Sequence, residues 1–441
     1  MTRPRHAYVV RDVAPIPPLG ASAAEAWLLG GRLHDEMRRR LEAEGLAVER
    51  VDTMDDAVAR AGRLPDGAIV THDSVAFSRS VVRGLLAACD RDPRPALAAA
   101  LPRALATRRL SHIAGLAAVT VDGTDAFTAP FYAIRAGGSA SAAEPVLLPY
   151  RELEWKLPVP VGMLGHTEEP FGATDTYLVR VDHWGHILHL NIAAMIAAWF
   201  ERGQTLAGKL WYLWRALLGF PWRRGRLAAA IRRVHRRAKI HHTAHVELSV
   251  VEAGAEIGPH AVVKNSYIAR GARIDDGALV NACVVGEGAF VGSAAAVFSS
   301  VLYPGSFAAQ HKMQFSVLGE SSVAFTGSYF YDTNFDRNVH VLHRGRVVDS
   351  GGRFMSVCLG PWARVAGGVW IASGREVPAH ALIVQPPERV LHRIDDALAA
   401  TRMTAVADRA LVDVGPLPGS PSRPEVAVVE PRRLARPAGD R

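Results

Sequence analysis

Histidines recur over residues 240–386 of this 441-residue chain, at His241, His242, His245, His260, His311, His340, His343 and His380. Imidazole titrates near neutrality, so a histidine beside an amine or hydroxyl can take its proton as a general base. His311 stands out by its setting. It is flanked by Gln310, Lys312 and Gln314, and the nearby run Tyr329-Phe-Tyr-Asp-Thr-Asn-Phe-Asp336 offers Asp332, Asn334 and Asp336. One reading makes His311 and Asp332 catalytic, with Lys312, Asn334 and Asp336 on the substrate. The other has them hydrogen-bonding loop backbone. In the first half, Asp73 follows an apolar run, Ala68–Thr71, that reads as a buried strand. Ligands collect at the carboxyl ends of such strands, so Asp73 is a candidate for substrate and for Mg²⁺. It could equally N-cap a helix over 75–88. No Gly-x-Ser-x-Gly elbow and no Walker loop is present.

His311 is conspicuous because of the pattern before it. Ile240, Ile257, Ile274 and Val291 recur every seventeen residues, as do Val246, Val263, Val280 and Val297, and Val251, Ile268, Val285 and Leu302. A small residue lies two places before each: Ala238, Ala255, Ala272 and Ala289, then Ala244, Ala261, Ala278 and Ala295, then Ser249, Ser266, Cys283 and Ser300. Apolar steps of six, five and six predict a coil of three short parallel strands per turn, with aliphatic side chains inside and small ones at the corners. Gly254, Gly271, Gly288 and Gly305 fall between the steps, where positive φ is needed. The register fails after Leu302, which predicts an excursion over 306–356, and hexads resume at Leu359, Val365, Ile371, Val377 and Ile383. His241 and His242 precede the first full coil and read as structural.

Upstream, strands near 7–10, 46–51, 68–71, 97–100, 116–121 and 127–134 alternate with helices near 33–45, 54–61 and 75–88, predicting a mostly parallel α/β sheet. Residues 201–238 form a linker in which Trp211, Tyr212, Trp214, Phe220 and Trp222 interleave with arginines, split into two helices by Pro221. The formal net charge is +8, yet residues 201–240 hold eleven basic side chains against the single acid Glu201. The basicity therefore belongs to one segment. Three readings fit it: aromatics capping the open end of the coil, peripheral contact with an anionic membrane, or a polyanion surface. Nothing in it resembles a nucleic-acid-binding motif. Residues 387–411 read as an amphipathic capping helix, and the proline- and arginine-rich stretch 412–441 as disordered. The three cysteines, Cys89, Cys283 and Cys358, lack metal spacing and suit a reducing compartment. The N-terminus lacks the apolar core of a secretory signal, and the longest apolar run, Ile192–Phe200, is nine residues. A cytoplasmic protein is the expectation.

The periodic stretch resembles the hexapeptide-repeat transferases, whose coil is a left-handed parallel β-helix. Asp182-His-Trp-Gly-His-Ile-Leu-His-Leu-Asn191, with Leu28-Leu-Gly-Gly-Arg-Leu33 and the strand ending at Asp73, is similar to sugar-1-phosphate nucleotidyltransferases. The resemblance implies substrate contact at Asn191 and a fold of α/β plus all-β class. A nucleotidyltransferase-like domain (1–200) would be followed by the helical linker (201–238), a left-handed β-helix (239–386) and the helical cap. It further implies acyl transfer from an acyl-CoA-type donor to a sugar, His311 as base, a nucleotide-sugar substrate and a homotrimer. Two alternatives stay open: sugar-1-phosphate nucleotidyl transfer, and a non-catalytic nucleotide-sugar-binding scaffold or sensor. The departure is at 11–20, where the Gly-rich phosphate loop of the nucleotidyltransferases is replaced by Arg-Asp-Val-Ala-Pro-Ile-Pro-Pro-Leu-Gly. Three prolines remove three backbone donors.

Overall fold

The computed structural model describes residues 3–114, 116–159, 161–218, 230–309, 312–386, 402–407 and 410–416. In chain order its first half runs β1 (His6–Val10), the short hairpin β2 (Trp27–Leu28) and β3 (Gly31–Arg32), α1 (Leu33–Glu42), β4 (Ala47–Val51), α2 (Met54–Arg63), β5 (Ala68–His72) and β6 (Val75–Phe77). There follow α3 (Arg79–Arg91), β7 (Ala96–Pro102), α4 (Leu105–Leu110), β8 (Ala117–Val121), β9 (Thr124–Ile134), β10 (Glu144–Leu147), β11 (Leu153–Pro158), α5 (Val161–Leu164), β12 (Glu168–Ala173), β13 (Leu178–Arg180), α6 (Trp184–Gln204) and α7 (Leu206–Leu218). Local chemistry sets these boundaries. α1 buries Leu33, Met37 and Leu41 along one stripe. Thr53 caps α2 by accepting the Asp56 N–H at 3.2 Å, with Asp55 and Asp56 in the first turn and Arg60 and Arg63 in the last.

The main sheet has the order β10-β7-β9-β5-β1-β4, with β8 beside β9. β1 pairs parallel with β4 and β5, and β10 with β7. β9 is antiparallel to β5, β7 and β8. The sheet is therefore mixed rather than mostly parallel. The cause is Asp122-Gly123, both at positive φ (48° and 76°). An Asp-Gly pair of this kind makes a tight hairpin, so the chain turns straight back from β8 into β9. A second correction concerns Asp73, which caps no helix: β6 intervenes, and α3 starts behind Ser78.

From Arg233 to Ile383, strands of two or three residues stack in parallel columns. Two columns hold eight strands each; the third holds five, from 245–247 to 312–314, with 329–330 paired to 370–371 beyond it. The interior residues Val246, Ile257, Val263, Ile268, Ile274, Val280, Val285, Val291, Val297 and Leu302 are buried. The four recurrent glycines have φ between 64° and 73°. The stacking continues past Leu302, with strands at 307–308, 312–314, 317–318, 323–324 and 329–330, so the expected excursion over 306–356 shrinks to 331–356. The reason is a shortened turn. Val297 pairs with Met313, sixteen residues on instead of seventeen, and a fixed step of seventeen misses it.

The column beginning at Arg233 faces the N-terminal half. Its outward residues Val284, Val301, Val317 and Cys358 share an apolar cluster with Trp27, Trp184 and Ile187. The Trp27 N–H donates to the Tyr303 hydroxyl at 3.1 Å, and Trp184 Nε1 donates to Glu376 Oε1 at 2.9 Å. All three cysteines are buried and free. At the C-terminal end, 402–407 and 410–416 form an antiparallel hairpin, not the expected helix; Thr404, Val406, Val412 and Val414 suit strands better than helices. The rest of the expected cap and tail, 387–401 and 417–441, lies outside the described residues, as does 219–229, where a second linker helix was expected. Among the described residues, no helix is long and apolar enough to cross a membrane.

Candidate functional site

Asp73 ends up at the carboxyl edge of β5, almost fully buried. Its Oδ1 accepts the Asp12 N–H at 2.8 Å, and its Oδ2 is paired with Arg50 from β4. Arg180, at the end of β13, reaches Asp12 Oδ2 at 3.5 Å. Three strand ends and one loop thus place two arginines, two carboxylates and His72 together. Burial, and then the Arg180 charge, holds the His72 imidazole below its ordinary pKa. His72 Nδ1, Ser74 Oγ and Arg180 Nε are buried without a hydrogen-bond partner. Orphaned polar atoms are uncommon in native interiors, and here they gather at the edge where α/β sheets take ligands. A cavity of about 260 Å³, lined by His34, Arg38, Arg50, Thr71, His72 and Asp73 among others, runs beneath α1. A second, of about 380 Å³, opens beside Thr128, Tyr132 and Arg180. Arginines beside carboxylates suit a ligand with an anionic group and hydroxyls.

This edge does not fit a metal-assisted triphosphate site. Both Asp73 oxygens are already engaged, and no cluster of three or more His, Cys, Asp or Glu able to hold a metal occurs among the described residues. Most of the N–H groups that remain in the proline-rich loop are also engaged within the protein. Arg11 N donates to Val51 O, Asp12 N to Asp73, Ala14 N to Asp12, Ile16 N to Ala21 O and Gly20 N to Ile16 O.

Asn191 serves the fold. Its Oδ1 accepts the Leu29 N–H at 2.8 Å, and its Nδ2 donates to Trp27 O and Ile187 O, both at 2.9 Å. The motif around it builds a seam between the halves. His183 caps α6 through Nδ1, and its Nε2 lies 3.2 Å from Leu342 O and 3.5 Å from Glu376 Oε1. Asp182 Oδ2 meets Arg344 at 2.9 Å and His343 at 3.7 Å. Burial pushes the Asp182 carboxyl up, but the His186 hydrogen bond and the charges of His186, His343 and Arg344 outweigh it and hold the pKa low.

On the coil, His311 and Gln310 lie outside the described residues. Lys312 is exposed at the start of its strand. Asp332 accepts the Thr333 hydroxyl at 2.9 Å, and its carbonyl takes the Met355 N–H. Asn334 is bonded to Ser373 and to the Asn338 carbonyl, while Asp336 is exposed. A pair that the sequence did not single out lies on the first coil. His245 Nε2 is 3.0 Å from Glu247 Oε2, and Lys264, one rung on, is 2.9 Å from Glu247 Oε1. Burial works to raise the Glu247 pKa, but its bonds to His245 and Lys264 outweigh it and hold the carboxylate ionised. A strand places residues i and i+2 on one face, so His-x-Glu within a coil strand was the available signal.

No protein-family model matches the chain, and no curated protein matches its sequence. Among solved structures, the chain is similar to a hexapeptide transferase family protein from Anaplasma phagocytophilum, with 16% identity over 34% of this chain and 72% of that one and a TM-score of 0.21. It is also similar to a mutant GDP-perosamine N-acetyl transferase from Caulobacter crescentus, solved with CoA and GDP-perosamine, with 18% identity, 34% and 51% coverage and a TM-score of 0.13. For the acetyltransferase domain of PglB from Neisseria gonorrhoeae the values are 16%, 34%, 53% and 0.13, so the chain spans about half the length of these last two.

Proposed function

We propose that the protein is a transferase that acylates an amino or hydroxyl group of a sugar along its coil, and that the cleft around Arg50 and Arg180 binds the anionic part of a sugar phosphate or nucleotide sugar. The observation that carries this is the His245–Glu247 pair at 3.0 Å on the first strand of its column. A carboxylate beside an imidazole orients it and stabilises the imidazolium formed on proton transfer. The base takes the acceptor's proton as nitrogen or oxygen attacks the thioester carbonyl of an acyl-CoA, and the thiol leaves. His311 is the second candidate for the base, with Lys312 beside it in sequence and Asp332, Asn334 and Asp336 further along the chain. A left-handed coil and a homotrimer, both implied by the resemblance, belong to the same proposal.

Nucleotidyl transfer has little support from the loop at 11–20, so the N-terminal half is assigned binding rather than chemistry. The test is acetyl-CoA turnover with a panel of amino sugars and sugar phosphates. The variant lacking the true base, His245→Ala or His311→Ala, loses about 10²–10⁴-fold in kcat, and the other retains activity. Thermal stabilisation by nucleotide sugars without turnover of any acceptor would replace the enzyme by a binding scaffold.

A further inference from the structure

α7 presents an apolar face that none of the described residues covers. Leu206, Leu210, Leu213, Trp214, Leu217 and Leu218 are each more than half exposed. At 100° per residue they fill an arc of about 140° on one side of the helix. The opposite side is fixed to the protein. Trp211 stacks on Trp199 at 6.2 Å between ring centroids, with the guanidinium groups of Arg202 and Arg215 over its ring. The Tyr212 hydroxyl donates to Trp199 O at 2.8 Å. The elbow between α6 and α7 is equally defined. Thr205 Oγ1 accepts the Gly208 N–H at 3.0 Å, and a Cβ on Gly208 would collide with the Arg202 carbonyl. The helix is held by one face so that the other points outward.

The charges that flank it along the chain share one sign. From Arg202 to Val246 the chain has no acidic residue. Lys209 is exposed on α7, as are Arg233, Arg236 and Arg237 on the first coil. Arg233 is near enough for its charge to act on both Arg202 and Tyr212. Aliphatic arc and cationic cluster therefore occupy the same end of the molecule.

We propose that α7 lies in the headgroup region of an anionic lipid bilayer, with its leucines and Trp214 at the acyl boundary and the Lys209, Arg233, Arg236 and Arg237 cluster against lipid phosphates. At 1.5 Å per residue the helix is about 20 Å long, suited to lying in the surface and too short to span it. Charge complementarity selects this occupant. A second copy would bring an identical cationic cluster against the first, which like-charge repulsion disfavours. A nucleic acid would satisfy the cations and leave five leucines without an apolar partner.

The test uses the full chain in co-sedimentation with phosphatidylcholine vesicles, with and without phosphatidylglycerol. Binding is expected to be at least about tenfold tighter on the anionic vesicles and to weaken as salt rises. The double variant Leu210→Glu/Leu217→Glu loses about tenfold or more. Because both positions are exposed, its thermal melt matches the parent. Arg236→Glu/Arg237→Glu weakens binding and flattens its salt dependence. The proposal fails if no protein sediments with anionic vesicles at low salt, or if the leucine variant binds as the parent does. A dimer dissolved by the leucine substitutions, together with absent vesicle binding, would hand the face to a second copy. None of these readouts involves acyl transfer, so this inference and the proposed activity fail separately.

Discussion

Asn191 has three hydrogen-bonding groups, and each meets backbone: Leu29 N–H, Trp27 O and Ile187 O. Read along the chain it belongs to a polar, histidine-rich stretch, which makes it look like a ligand contact. Its role becomes visible only when the β2–β3 hairpin, more than 150 positions away, is laid against α6. A side chain removed from such a place leaves its partners desolvated and unpaired, at about 1–3 kcal/mol for each unsatisfied group. Asn191→Ala should therefore lower the urea unfolding free energy by about 2–4 kcal/mol while leaving KM for sugar ligands unchanged in the folded fraction. An unchanged unfolding curve with a raised KM would return Asn191 to the substrate. The His245–Glu247 pair illustrates the converse: its spacing was present in the sequence, but exposure and the Lys264 rung that completes it depend on how the coils stack.

The coil was legible because each turn repeats one geometry, so every column votes for the same period. What the period does not say is how the corners are satisfied. Ser249, Ser266 and Ser300 each accept a backbone N–H from the next coil, Ser266 N, Cys283 N and Ser316 N, all at 3.1 Å. Ser266 also donates to Lys264 O. The small column is thus a hydrogen-bonded ladder as well as a concession to space. Ser266→Ala should cost about 1–3 kcal/mol by leaving Cys283 N without its acceptor, and Ser266→Val should cost more because the corner is tight. Equal stability of the alanine variant in chemical denaturation would mean that size alone governs the column. Elements outside the repeat were harder to read. The helix expected over 75–88 starts only at Arg79, because Val75–Phe77 pairs with Leu178–Arg180, and the described part of the helix expected over 387–411 is a hairpin; local pattern reveals neither pairing.

The two halves join through the outward residues of one coil face and through the seam at the start of α6. The face left a trace in the sequence: Val250, Tyr267, Val284 and Val301 recur at the coil period, one place before the inward column. Only a face that is covered has reason to be apolar on both sides. The seam left only the motif that begins at Asp182, with nothing to say what it meets, because Asp182-His183, His343-Arg344 and Glu376 are distant in sequence and converge only after both halves fold. It should make docking depend on pH. Burial, the largest influence on His183, holds its imidazole below the ordinary value, and Glu376 only partly offsets this. A folded-state pKa below the unfolded value of about 6.5 means that the unfolded chain binds the proton more readily. The stabilisation from a neutral His183 is then fully present above that pH and is lost as pH falls from there through the depressed folded value. The loss is limited to about 1.4 kcal/mol per pH unit for one histidine. Asp182 is held below the usual carboxylate range, so its contribution survives this window and fades only at lower pH. Thermal melts of the full chain should accordingly show Tm falling as pH drops below about 6.5. His183→Gln should start from a lower Tm, since Gly185 N–H loses its cap, but decline less steeply. Parallel pH profiles for the two proteins would show that His183 is not the group through which acid loosens the seam.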